Sequence, residues 1–307
     1  FKVEKTGIQR INKSFLNDLG MNTDGINPRN IKIYGNGGGP LPFLNEENTM
    51  LDLPENAIQV IGEADGEFGS SDYILFYGES TLGYHGIYYD TNINPYSDES
   101  YYYITVGNEP GLRVQDMNEP SGSPDHIITQ FNDYQYIEID EESPVKVGRR
   151  WFSNRFDIES EQSFVINFPN IVSGQPMDVR VKVASASEST TSMAISINGT
   201  SLDPLGFSVI NDPTLLAVRE FDDEIPAGGE DVTFDLVYNN GGNPSSIGYL
   251  DFISVDALRQ LSGVNGQLAF RNNSVGGTIG IGEFRIENAS QFSQVWDVTN
   301  PAFITSK

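Results

Sequence analysis

The sequence of 307 residues contains no cysteine. It can therefore form no disulfide, no thiolate metal site and no cysteine nucleophile. Histidine is almost as scarce, because His85 and His126 are the only two and lie far apart in the chain. No serine lies in a nucleophile-elbow motif either, so the sequence offers no catalytic constellation.

Long apolar runs are also missing. No run approaches the roughly 20 residues that a membrane-spanning helix needs, so we expect no membrane span. The N-terminal FKVEKTGIQRI lacks the charged-then-apolar layout of a signal peptide. We expect a mature or trimmed chain to account for that, rather than cytoplasmic residence.

Basic residues are few, with 18 Lys and Arg against 43 Asp and Glu, which gives a net charge of −25. This balance argues against binding to nucleic acid or to anionic membranes, since both require basic residues to neutralise phosphates. No Lys or Arg occurs between Lys32 and Arg113, a span with 13 acidic residues. A cation-binding patch and a solvated outer face both explain this span, and the solvated face is the more common case.

Short apolar segments separated by Gly, Pro, Asn and Asp predict an all-β protein with two β-rich domains. We expect a sheet-rich domain with its linker at residues 1–125 and a second domain at residues 126–307. In the second, Val179, Val181 and Val183 alternate with polar residues, and IGYLDFISVDAL is typical of a central strand. Together with regular turn spacing, these patterns predict a jelly-roll-like antiparallel β-sandwich. One short helix is predicted over residues 14–19, capped by Ser14 and ended by Gly20.

The segment GEADGEFGSSDYILFYGES (residues 62–80) places an acidic glycine turn between two apolar strands. Glu63, Asp65 and Asp72, with Gly66, loosely fit a calcium site, because calcium takes several oxygen ligands from a backbone that glycine allows to fold around it. The spacing does not match an EF-hand loop. The alternative is an Asp-Gly hairpin whose carboxylates cap backbone N–H groups, and that interpretation is favoured.

Aromatic and amide side chains offer a second candidate surface. Trp151, Tyr249 and the pair Asn239 and Asn240 would suit a surface glycan, because aromatic faces stack on sugar rings. The favoured alternative is that Trp151 and Tyr249 pack within strands, as aromatic residues in strands usually do.

Six blocks of the chain, in order, resemble the N-terminal region of the type IX secretion sortases, a gingipain-like cysteine peptidase family of Bacteroidetes. The blocks are KTGIQRINKSFLNDLG, INPRNIKIYGNGGGPLP, GEADGEFGSSDYILFYGES, YYYITVGNEPG, GRRWFSNRF and QVWDVTNP. The resemblance implies an extracytoplasmic enzyme at the outer membrane that cleaves the C-terminal secretion signal from exported cargo and joins the cargo to surface lipopolysaccharide. It also implies a His–Cys pair in a separate α/β domain, and no residue here matches that pair.

We therefore expect a non-catalytic accessory region that continues into a C-terminal peptidase domain, with no catalytic residue and no cofactor other than the candidate calcium. The implied location is the outer-membrane surface or the periplasm. The implied partners are exported cargo proteins and an outer-membrane secretion component. A carbohydrate-binding module, suggested by the jelly-roll-like second half, and a structural surface protein are the alternatives.

Overall fold

The computed structural model describes residues 1–48, 52–84, 90–144, 150–212, 215–264, 266–301 and 303–307. These residues fall into two compact units. The first unit comprises residues 1–121, 263–269 and 289–307, and the second comprises residues 122–262 and 270–288. In the described part of the chain, no helix is long and apolar enough to cross a membrane.

The described residues of segment 1–121 form nine short strands and one α-helix. The helix α1 is Lys13–Asp18. The strands are β1 Lys2–Val3, β2 Gly7–Asn12, β3 Ile31–Tyr34, β4 Glu55–Asn56, β5 Ile58–Ile61, β6 Tyr73–Gly78, β7 Ser100–Tyr101, β8 Tyr103–Val106 and β9 Gln115–Asp116.

These strands form small antiparallel sheets, in the orders β2-β6-β5, β4-β3-β8 and β1-β7. Alternate residues of the strands point inward, so that Ile33, Ile58, Ile74 and Phe76 are fully buried with the ring of Tyr102. This core holds β5 and β6, and with them both ends of the acidic turn.

Among its described residues, the second unit contains twelve strands. They are β10 His126–Ile128, β11 Gln130–Glu138, β12 Arg155–Phe156, β13 Glu161–Asn167, β14 Pro176–Ala186, β15 Thr191–Ile197, β16 Thr200–Ser201, β17 Leu205–Phe207, β18 Ala217–Pro226, β19 Asp231–Asn239, β20 Ile247–Gln260 and β21 Gly282–Phe284. Ten of them form two antiparallel sheets of five strands, and β10 pairs with β21 in parallel.

The two five-stranded sheets form the predicted β-sandwich. The front sheet has the order β11-β20-β14-β18, with β12 beside β20, and the back sheet has the order β13-β19-β15-β16, with β17 beside β15. Both sheets contribute to one core, in which Val181 and Val255 of the front sheet pack with Phe234 and Leu236 of the back sheet. The all-β, jelly-roll-like prediction is confirmed, and the alternating valines of β14 are buried as expected.

Two further strands, β22 Trp296–Asp297 and β23 Thr305–Ser306, belong to the first unit. β23 pairs antiparallel with β22 and in parallel with β9. The division into units thus differs from the predicted one at 125/126, because the end of the chain joins the first unit rather than the sandwich. A ladder between β9 and β23 leaves no local pattern in the sequence, which is why turn spacing alone did not reveal it.

Candidate functional sites

The acidic turn connects β5 to β6 through a single 3₁₀ turn, Glu63–Asp65. Gly62 and Gly66 flank this turn, and both adopt left-handed backbone conformations, with φ of 102° and 82°. Left-handed backbone is strained for residues that carry a Cβ, so glycine suits both positions. The acidic side chains of Glu63 and Asp65 thus lie between two left-handed glycines.

Asp72 lies at the end of the turn, just before β6, and its carboxylate packs against Gly62. It is buried, and one carboxylate oxygen accepts a hydrogen bond of 2.7 Å from the Gly69 N–H. The other oxygen lies 3.3 Å from the Ser71 hydroxyl, which donates to it. A Cβ at Gly62 would overlap with this carboxylate, so the glycine makes room for Asp72. Asp72 therefore caps one backbone N–H group, that of Gly69, and accepts from one hydroxyl.

Glu63 is held by an arginine from a distant part of the sequence. The Arg113 Nε and Nη2 each lie 3.0 Å from the Glu63 Oε2. The same guanidinium donates to the carbonyl oxygens of Pro28 (3.0 Å) and Arg29 (2.8 Å), and Arg29 in turn donates to the Ala64 carbonyl at 2.7 Å. The two arginines thus tie the acidic turn to the segment before β3.

Asp65 accepts a hydrogen bond of 3.0 Å from the Glu67 N–H, so each predicted calcium ligand has a contact within the protein. Among the described residues, no group of three or more His, Asp and Glu side chains is placed to hold a metal ion. These contacts favour the capped hairpin. The calcium site at Glu63, Asp65 and Asp72 stays a prediction, which calorimetric titration with Ca²⁺ tests.

The candidate sugar-binding residues are not assembled into one surface. Tyr249 is buried (2% exposed) and packs against Phe152, with ring centroids 5.6 Å apart. Burial raises the pKa of Tyr249 to about 12. Asn239 and Asn240 accept hydrogen bonds of 3.0 and 2.9 Å from the N–H groups two residues ahead and so shape the turn after β19. Tyr249 therefore packs the front sheet, as the alternative interpretation holds, while Trp151 remains partly exposed.

Of the two histidines, His85 lies outside the described residues. His126 begins β10, and its Nε2 lies 3.3 Å from the Ile279 carbonyl oxygen.

A cluster of three buried charged side chains on the front sheet was not predicted from the sequence. Glu138 of β11, Asp251 of β20 and Lys182 of β14 are 7%, 6% and 4% exposed, and their strands are neighbours in that order. The Lys182 Nζ lies 3.7 Å from the Asp251 Oδ2. We call these three residues the buried charge cluster.

The buried charge cluster lies on the face of the front sheet that points away from the sandwich core, because Lys182 alternates with the core residues Val181 and Val183. The Lys182 Nζ also lies over the ring of Phe252, 5.5 Å from its centroid. Burial raises the pKa of the Asp251 carboxyl to about 7, an effect that Lys182 opposes and Glu138 reinforces. An aspartate within the almost continuous apolar run of β20 was the one signal that the sequence offered.

Comparison with solved structures places this fold in context. The crystal structure of dimeric latent PorU from Porphyromonas gingivalis matches with a TM-score of 0.79 and 18% identity, covering 99% of this chain and 28% of that chain. The chain has the fold of a part of PorU. The resemblance predicted from the six sequence blocks is thus confirmed as a likeness of fold, and the chain spans little more than a quarter of the length of PorU.

Two carbohydrate-binding modules overlap with smaller parts of the chain. One is a family 36 module in complex with calcium and xylotriose (TM-score 0.25, 15% identity, 39% of this chain and 98% of that chain). The other is a family 35 module from Clostridium thermocellum (TM-score 0.27, 14% identity, 40% of this chain and 91% of that chain). Both overlaps are too weak to bear on function. No family model matches the chain, and no curated protein matches its sequence.

Proposed function

We propose that this chain is a non-catalytic accessory region of a secretion-linked cysteine peptidase of the PorU type. The observation that supports this most strongly is the structural match to PorU, which covers 99% of the chain. A sequence with no cysteine leaves the nucleophile of such a peptidase to another part of a longer protein. The region would act outside the cytoplasm, at the outer-membrane surface or in the periplasm, and position exported cargo, a secretion component or the catalytic domain.

The reading frame beyond Lys307 gives the first test. We expect it to encode an α/β domain that contains a histidine and a cysteine, and a stop codon directly after Lys307 would contradict the proposal. The purified chain should also show no cleavage of peptides that carry a C-terminal secretion signal. Activity above background in the chain itself would overturn its non-catalytic role.

The accessory role requires a second experiment, made with the longer protein. Deleting residues 1–307 should abolish processing of exported cargo but leave cleavage of a short unstructured peptide, since the peptidase active site lies elsewhere. Replacing the catalytic cysteine is the matched control, and it should abolish both reactions. Unchanged cargo processing after the deletion would contradict a positioning role.

Glycan binding is the second candidate, and one surface of the front sheet favours it. Tyr134 and Tyr136 lie on the outward face of β11, with ring centroids 6.2 Å apart. Asp256 is paired with Tyr134 across β11 and β20, and Asp178 of β14 is paired with Asp256. The Asp256 carboxylate already accepts hydrogen bonds from Asn132 and Arg271, at 3.0 and 3.1 Å. The two adjacent rings would stack on a sugar, and the Asp178 carboxylate would accept hydrogen bonds from its hydroxyls.

Titration with lipopolysaccharide sugars tests this second candidate. Binding should be lost when Tyr134 and Tyr136 are both replaced by alanine. It should persist in the control Tyr101→Ala, which alters an exposed tyrosine of the first unit. No binding by the unaltered chain would remove the candidate.

A further inference from the structure

The buried charge cluster is created by an irregularity in the front sheet. Along the β14–β20 ladder, Lys182 pairs with Phe252 but Val183 pairs with Leu250, so Asp251 is an extra residue on β20. Leu250 and Ile253 point into the sandwich core. Asp251 and Phe252 therefore both face outward, towards Lys182. Bulges of this kind re-aim a side chain, and this bulge brings a carboxyl group to the Lys182 amine.

As an ion pair, the Lys182–Asp251 contact is unfavourable in one respect. Both side chains are almost fully excluded from water, and removing two charges from water costs more than their attraction returns unless the geometry is excellent. Glu138 adds a second buried negative charge, which raises the pKa of Asp251, as Asp140 also does, while Arg150 lowers it. A reaction that removes charge from this site would remove the cost of burying it.

A protonated carboxyl group held beside an amine supplies the two reactants of amide formation. The raised pKa of Asp251 favours its protonated form. Fixed neighbouring groups also react far faster than the same groups free in solution. Burial keeps out the water that would drive the reaction backwards, and Glu138 provides a carboxylate that can accept the lysine proton.

We propose that Lys182 and Asp251 are joined by an intramolecular amide bond, which forms spontaneously in the folded protein with Glu138 as the proton acceptor. Glu138 takes one proton from the Lys182 ammonium. The free Nζ then attacks Cγ of the protonated Asp251 carboxyl, a C–N bond forms, and a C–O bond breaks. The departing hydroxyl leaves as water with a second proton from Nζ. No electron is transferred, and the site ends as a neutral amide beside a protonated Glu138.

Intact mass spectrometry of the purified, denatured chain tests the proposal directly. We expect a mass lower than that of the sequence by one water molecule. Trypsin should fail to cleave after Lys182, so that residues 181–219 and residues 220–259 are recovered as one branched peptide. The full sequence mass together with normal cleavage after Lys182 would overturn the proposal.

Peptide mapping is essential, because cyclisation of Asp65 onto Gly66 would also lose one water. That product would leave the cleavage at Lys182 intact, and it would count against the amide bond. The Lys32–Glu55 pair is an internal control, since its Nζ–Oε2 distance is 3.6 Å but both side chains are about one-fifth exposed, at 19% and 18%. Trypsin should cleave normally after Lys32.

Four variants separate the roles of the two reactants from that of the proton acceptor. Lys182→Arg keeps the positive charge but removes the nucleophile, and Asp251→Ala removes the carboxyl group, so both should have their full sequence mass. Glu138→Gln keeps both reactants and should also remain unmodified, while Glu138→Asp should restore part of the mass loss. A Glu138→Gln protein that is dehydrated as completely as the unaltered chain would exclude Glu138 from the reaction. If a variant fails to fold, the mass of the unaltered chain still decides whether the bond exists.

Discussion

Gly62 illustrates how a single residue decides the shape of the acidic turn. Its φ of 102° is costly for any residue with a Cβ, and the space where a Cβ would lie is filled by the Asp72 carboxylate. Gly66 has a similar φ of 82°, but no atom lies within 4 Å of its would-be Cβ. Comparing the two glycines therefore separates the cost of a left-handed backbone, which both share, from the cost of displacing Asp72, which only Gly62 carries.

Replacing each glycine by alanine should give different losses of stability. Gly66→Ala should lower the free energy of unfolding by about 1 kcal/mol, the cost of a left-handed L-residue. Gly62→Ala should cost about 2–4 kcal/mol, because it also displaces the Asp72 cap. Urea unfolding of both variants measures the difference. Equal losses would show that Asp72 moves aside at no cost.

Glu79 is a partly buried carboxylate in the first unit, and burial raises its pKa above the usual 4.5. The folded protein then keeps this proton over a pH range in which the unfolded chain has already released it. Stability from this group is therefore present below the unfolded pKa and is lost as the pH rises through the folded pKa.

Glu79→Gln removes this loss, because glutamine does not ionise. We expect the variant to gain stability relative to the unaltered chain as the pH is raised from about 4 to about 7. Thermal unfolding across that range measures the trend, and Glu109→Gln is a control at an exposed site. A stability difference that is independent of pH would contradict the assignment to Glu79.

The acidic hairpin of β5 and β6 depends on an element far from it in sequence. Arg113 connects Glu63 to the backbone carbonyls of Pro28 and Arg29, and it is the residue that ends the long span without Lys or Arg. Arg113 thus neutralises part of the negative charge of the turn, through its ion pair with Glu63.

Arg113→Ala should destabilise the first unit by about 2–4 kcal/mol, since it leaves Glu63 without its ion pair and removes a charged donor from the carbonyl oxygens of Pro28 and Arg29. Arg285→Ala is the matched control, because Arg285 forms an exposed pair with Glu283 and should cost less than about 1 kcal/mol. Urea unfolding measures both. Similar losses would mean that the Arg113 contacts contribute no more than a surface ion pair.

Local elements followed from sequence patterns, while contacts between them did not. The helix was predicted at residues 14–19 and is found at Lys13–Asp18, but its cap is Asn12, which accepts a 2.8 Å hydrogen bond from the Phe15 N–H, rather than Ser14. The ending at Gly20, with φ of 85°, is as predicted. The bulge brings Asp251 to Lys182, and Arg113 binds Glu63. Each pair lies 50 or more positions apart in the sequence, so no local pattern could predict that they meet.

The path of the chain as a whole returns to its first unit after completing the sandwich. Residues 289–307 belong with residues 1–121, and the backbone N–H of Gln115 donates to the Ile304 carbonyl at 3.1 Å. Ile304 is buried (2% exposed), whereas its neighbour Phe303 is 76% exposed. Replacing Ile304 therefore tests whether the end of the chain supports the first unit, as the structural division has it, or the second domain predicted at residues 126–307. Phe303 is the exposed neighbour against which to compare it.

Ile304→Ala should lower the stability of the first unit by about 2–5 kcal/mol, because it removes buried methyl groups and leaves a cavity. The second unit should be unaffected, since it has its own core. Hydrogen exchange measured by mass spectrometry resolves the two, and we expect faster exchange in residues 1–121 with unchanged protection in residues 122–262. Phe303→Ala should change neither by more than about 0.5 kcal/mol. Lost protection confined to the sandwich would instead support the boundary predicted from the sequence.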